Sequence, residues 1–88
     1  MQLEELLKKI DESKSFIFKP NYKMLDEEIV KNLEKLGFSI IYVERIDYYL
    51  ARYNKKTEEY DSKEIENFIR KYQHLCYFEP LNNFKVMY

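Results

Sequence analysis

The stretch Phe38-Ser-Ile-Ile-Tyr-Val-Glu-Arg-Ile-Asp-Tyr-Tyr-Leu-Ala-Arg-Tyr53 holds the choice between a mostly helical domain and one built on a sheet. Its first half, Phe38 to Val43, is rich in β-branched and aromatic residues and predicts a short strand. Its second half carries two periodicities. Val43, Ile46, Leu50 and Tyr53 follow the spacing of one helical face, with Tyr49 adjoining. A strand would instead place Ile46, Tyr48 and Leu50 on one side and Tyr49 and Tyr53 on the other. A hairpin here lacks any Gly, Pro or Asn turn before Asn54. The helical spacing therefore predicts an extended entry followed by a helix from about Val43 to Thr57.

The flanking segments are clearer. Upstream, Asp26, Glu27 and Glu28 fill the first turn of a helix predicted over about Met24 to Leu36, where they complement its dipole. Its inward residues are Leu25, Ile29, Val30, Leu33 and Leu36. Gly37, the chain's only glycine, supplies a left-handed exit and lets Phe38 fold back on Leu33. Further upstream, Leu3, Leu6, Leu7 and Ile10 recur at amphipathic spacing, with Glu4–Lys8 and Glu5–Lys9 pairs on the outer face. Ser15-Phe-Ile-Phe-Lys19, closed by Pro20, reads as a short strand. Downstream, Asp61 as N-cap with Glu64 three residues later forms a capping box, and Tyr60 with Ile65 a hydrophobic staple. The helix so started packs Ile65, Phe68, Ile69 and Tyr72 and ends near His74. The tail from Leu75 to Tyr88 reads as two short strands around a Pro80–Asn83 turn. The expected fold class is α+β: about four amphipathic helices on a small, mostly antiparallel sheet with a C-terminal hairpin, in one compact domain over residues 1–88.

Composition restricts function more than it reveals it. Fifteen of 88 residues are aromatic, nine of them Tyr, against one His, one Cys and one Gly. Aromatic side chains are the material of cores and contact surfaces. Net charge is −1, from 15 Lys and Arg against 16 Asp and Glu, so the basic excess usual in nucleic-acid binders is missing. His74 and Cys76 cannot close a tetrahedral zinc site between them. Adjacent acids such as Glu27–Glu28 and Glu58–Glu59 point about 100° apart on a helix and do not converge on one substrate atom. The expectation is a protein that is not an enzyme and takes no cofactor. A single cysteine suits a reducing compartment, the charged start does not fit a secretory leader, and no apolar stretch approaches the ~20 residues of a membrane span. The expected setting is the cytoplasm, without membrane association.

On the helix predicted over 43–57, Arg45, Tyr48, Arg52, Lys55 and Lys56 fall on one side. Basic residues with an interleaved Tyr can bind phosphates and bases, but they more often form an ordinary solvated face or, next in order, a protein contact. With Tyr49 and Tyr60 they form the candidate partner-binding set. Twelve Lys, eight Ile, nine Tyr and one Ala are the usage of AT-rich coding. In size and character the chain resembles the small phage and plasmid proteins that inhibit host enzymes, anti-CRISPR proteins among them, a likeness that rests on no motif. The first reading is accordingly a protein-binding module that occludes a surface of a host or cognate protein. The second is a nucleic-acid-binding regulator whose element order resembles a winged helix, and the third a structural homodimer subunit.

Overall fold

A computed structural model describes residues 2–81. Helix α1 (Leu3–Ser13) leads into strand β1 (Ser15–Pro20), helix α2 (Asp26–Lys35), strands β2 (Phe38–Val43) and β3 (Tyr48–Tyr53), helix α3 (Ser62–Tyr72) and strand β4 (Cys76–Pro80). Single 3-10 turns at Lys23–Leu25 and Thr57–Glu59 precede α2 and α3. The described residues thus contain three α-helices rather than the four expected.

The correction falls on residues 43–57. Glu44 to Asp47 form a turn and Tyr48–Tyr53 is a strand. Tertiary pairing overrides the helical spacing: β3 sits between β2 and β1 and exchanges ladders with both, whereas a helix there would leave both neighbours without a partner on that side. The hairpin closes without Gly, Pro or Asn because Asp47 adopts the left-handed conformation (φ 58°), which a short polar side chain tolerates. The amides of Ile46 and Asp47 both donate to the Val43 carbonyl, at 3.3 and 3.0 Å.

All neighbouring strands are antiparallel, in the order β2-β3-β1-β4. Apart from α1, this is the β-α-β-β-α-β order of the split βαβ, or ferredoxin-like, arrangement. β4 supplies the first arm of the expected C-terminal hairpin and pairs with β1; the second arm falls on residues outside those described.

Strand alternation divides the sheet into two faces. Phe16, Phe18, Phe38, Ala51 and Cys76 join Leu6 and Ile10 of α1, Ile29 and Leu33 of α2, and Ile65, Phe68, Ile69 and Tyr72 of α3 in one buried core. Phe16 packs against the rings of Phe38, Phe18 and Phe78 at 5.5–6.0 Å. Tyr72 is fully enclosed yet satisfied: its hydroxyl accepts from Asn32 and donates to Glu28, both at 2.8 Å, tying α3 to α2. The opposite face carries Ile17 and Leu50, both buried, with Lys19, Ile41, Tyr48, Arg52 and Tyr77 around them.

Two helix ends carry the residues expected of them. Asp61 caps α3 by accepting from the amides of Lys63 (3.0 Å) and Glu64 (3.3 Å). Gly37 leaves α2 at φ 100°.

Candidate functional site

One end of the sheet gathers the C-terminal ends of β1 and β2, the N-terminal ends of β3 and β4, and the start of α2. Antiparallel register brings these together: Tyr42 is paired with Tyr49, Phe18 with Tyr49, and Lys19 with Tyr77. The loop after β1 is held here by Asn21, whose amide donates to the Leu75 carbonyl at 2.9 Å and whose side chain donates to that of His74 at 3.3 Å.

Five tyrosines come from four separate segments of chain. Tyr49 lies parallel on Phe18 at 5.2 Å, and the Tyr42 ring leans on it at 5.1 Å. On the opposite face of the sheet, Tyr48 meets Tyr77 edge-on across β1 at 6.3 Å. Lys19 links the two pairs. Its ammonium sits 2.8 Å from Asp47 and 5.9 Å from the Tyr48 ring centroid, while Asp47 also accepts from the Tyr42 hydroxyl. The Tyr49 hydroxyl donates to Asp26 at 2.7 Å. Lys19, Lys23, Asp26, Tyr42, Asp47 and Tyr49 line a cleft of about 440 Å³. The loop after β1 and the start of β4 add exposed apolar side chains at this end: Met24 is 86% exposed, Tyr22 60%, Tyr77 53% and Leu75 38%.

The ionisation states follow from these contacts. The Lys19 ammonium and the Tyr42 hydroxyl hold the Asp47 carboxyl below its ordinary range. The hydrogen bond to Asp26, aided by burial, pushes the Tyr49 phenol up to about 12, and Asp47 raises Tyr42 likewise. Both phenols are protonated at neutral pH and present neutral aromatic surface with committed hydroxyls, the opposite of an activated nucleophile. Burial pushes the Cys76 thiol up to about 12. Among the described residues, no group of three or more His, Cys, Asp or Glu side chains could hold a metal ion, and no helix is long and apolar enough to cross a membrane.

Of the residues singled out from sequence, Tyr48 and Tyr49 belong to this end, on opposite faces of β3, with Arg45 exposed in the adjoining turn. Arg52 shares the face of Tyr48 but sits opposite Ser15 and Ser39, toward the far end. Lys55 and Lys56 follow β3 in the far-end loop. Tyr60 is at that end too, half-buried; it donates to Asp11 at 2.8 Å, with Lys14 over its ring and Tyr53 against its edge. The structure therefore does not bring the predicted basic stripe together, because the extended strand β3 carries Arg45 and the Lys55–Lys56 pair to opposite ends where a helix would have stacked them along one side. Lys19, Tyr22, Met24, Asp26, Tyr42 and Asp47 were missed. Lys19 to Asp26 and Tyr42 to Asp47 are two stretches distant in sequence, and the β2–β3–β1 pairing brings them to one end.

No protein-family model, curated protein or solved structure matches this chain.

Proposed function

We propose that this chain is a non-enzymatic protein-binding module that engages its partner through the tyrosine-rich end, in the manner of a small phage- or plasmid-type inhibitor occluding a surface of a host enzyme. The observation that carries this reading is the gathering of Tyr22, Tyr42, Tyr48, Tyr49 and Tyr77 with exposed Met24 and Leu75 at one end of the molecule. Tyr and Met are enriched in protein interfaces, where a large ring brings much contact area for few rotatable bonds. The charges there balance, Lys19 and Lys23 against Asp26 and Asp47, which suits a protein surface better than a phosphate backbone. Fold adds nothing to the choice, since one topology serves many functions.

The test is affinity capture from a low-GC bacterial lysate with the wild type and a Tyr22→Ser/Tyr77→Ser variant, after nuclease and at high salt. A stoichiometric protein retained by the wild type and lost by the variant is the expected result. Equal capture by both would remove this surface from the account. One observation favours nucleic acid as a second reading: Lys19, Tyr48, Arg52 and Tyr77 share one sheet face, an arrangement that can stack bases and follow a backbone. That reading requires recovered nucleic acid whose retention falls steeply with salt.

A further inference from the structure

Strand β2 forms one edge of the sheet. It pairs with β3 along its whole length, from Phe38 opposite Tyr53 to Val43 opposite Tyr48, without a bulge, and among the described residues the strand order ends with it. Edge strands present unpaired amides and carbonyls, and soluble proteins usually blunt them with a charge, a proline, a bulge or a covering segment. The sequence Phe38-Ser-Ile-Ile-Tyr-Val43 has no charge and no proline. The opposite edge is different: β4 includes Glu79 and ends on Pro80. On β2, Ile41 is 62% exposed and Tyr42 48%.

We propose that the β2 edge is a dimerisation site at which a second copy of this chain adds its own β2 antiparallel, making one continuous sheet from the two four-stranded ones. The strand is self-complementary. A two-fold axis at Ile41 sets Ile41 against its own counterpart and Ile40 against Tyr42, with Ser39 against Val43, so each helix-bearing face stays on the same side. These are favourable cross-strand combinations, aliphatic with aliphatic and aromatic with β-branched, and no like charges meet. The strand's ends carry charges of both signs. Lys55 packs over Gly37 at the start of β2, where a Cβ would lie 3.2 Å from its Cδ. Exposed Glu44 follows the strand's last residue, with Arg45 one position further into the turn. In the same register Glu44 falls opposite the other copy's Phe38, one position from the Gly37 that Lys55 covers, and Arg45 falls opposite Gly37 itself. A foreign strand could use the same backbone groups, but nothing on this edge selects one. The proposal shares Tyr42 with the tyrosine-rich end but does not rest on that end's role as a partner surface, since it needs no third molecule.

Sedimentation equilibrium of the purified chain, from micromolar to near-millimolar concentration, should show a reversible monomer–dimer equilibrium. Ile41→Lys, at an exposed position that the folded monomer tolerates, should leave the far-ultraviolet circular dichroism unchanged and abolish the dimer. Glu44→Lys should weaken association several-fold, and adding Lys55→Glu should restore it. Amide hydrogen exchange should show concentration-dependent protection within residues 39–43 in the wild type only. A wild type that stays monomeric overturns the proposal, even one that captures an added extended peptide on β2. So does an Ile41→Lys variant that dimerises as tightly as the wild type.

Discussion

Gly37 shows how one residue can carry two constraints. Its φ of 100° lies where side chains are strained, and an added Cβ would sit 2.8 Å from the Tyr53 ring and 3.2 Å from Lys55. Its carbonyl also accepts from the Asn54 amide at 2.8 Å, joining the exit of α2 to the end of β3. Gly37→Ala should therefore destabilise the fold by about 1–3 kcal/mol, read as a lower urea midpoint at unchanged slope. An unchanged midpoint would mean that neither backbone nor ring resists. Tyr49 makes a prediction about pH. Its phenol is raised to about 12 when folded, first by the bond to Asp26 and then by burial, so the folded state holds this proton more tightly than the unfolded chain. The corresponding stability is complete below the ordinary phenol value near 10 and is lost as pH rises through about 12. In the Tyr49→Phe variant that alkaline loss should shrink, and neutral stability should fall by about 1 kcal/mol for the missing hydrogen bond. Denaturant titrations of both proteins across the alkaline range measure the two effects together.

Among the elements, α1, β1, α2 and α3 were legible because each announces itself locally. Leucine spacing marks α1, an apolar run closed by Pro20 marks β1, acidic residues and Gly37 bracket α2, and Asp61 starts α3. The β2–β3 hairpin was only half legible. Phe38–Val43 has the composition of a strand, but β3 is enclosed on both sides, with Leu50 on one face and Ala51 on the other both buried. It therefore shows no clean polar alternation, and Val43, Ile46, Leu50 and Tyr53 imitate a helix. The turn conceals itself as well, since Asp47 does what Asn or Gly commonly does. The candidate site was illegible for the same reason: strand register, which no local pattern contains, assembles it. Asp47 thereby joins two roles, backbone geometry and the Lys19–Tyr42 network. Asp47→Asn keeps the left-handed tolerance and an acceptor for Tyr42, whereas Asp47→Ala keeps neither. Thermal melting should rank wild type above Asn and Asn above Ala. If Ala melted with Asn, the turn would not depend on this residue's conformation.

At the scale of the molecule, α1 poses the main question, because the split βαβ order is complete without it. Its packing gives the answer. Ile10 is fully buried and Leu6 nearly so, in the same core as Phe16, Phe68 and Ile69. The helix also supplies Asp11 to the Tyr60 hydroxyl, and the Lys14 carbonyl just after it accepts from the Tyr53 amide at 2.9 Å. Fully burying an Ile or Leu side chain is worth about 1.5–3 kcal/mol. Two such residues account for a large share of the roughly 5–15 kcal/mol that holds a domain together, and so short a chain has little core to spare. Removal would also bare the core-facing sides of β1 and α3 and leave Tyr60 without its acceptor. A chain beginning at Lys14 should accordingly lose the cooperative thermal transition of the full protein and show collapsed amide dispersion by NMR. A sharp melt with dispersed amides would make α1 an appendage on a self-sufficient βαββαβ domain. The expected failure makes it part of the single core, on which the sheet and its tyrosine-rich end both depend.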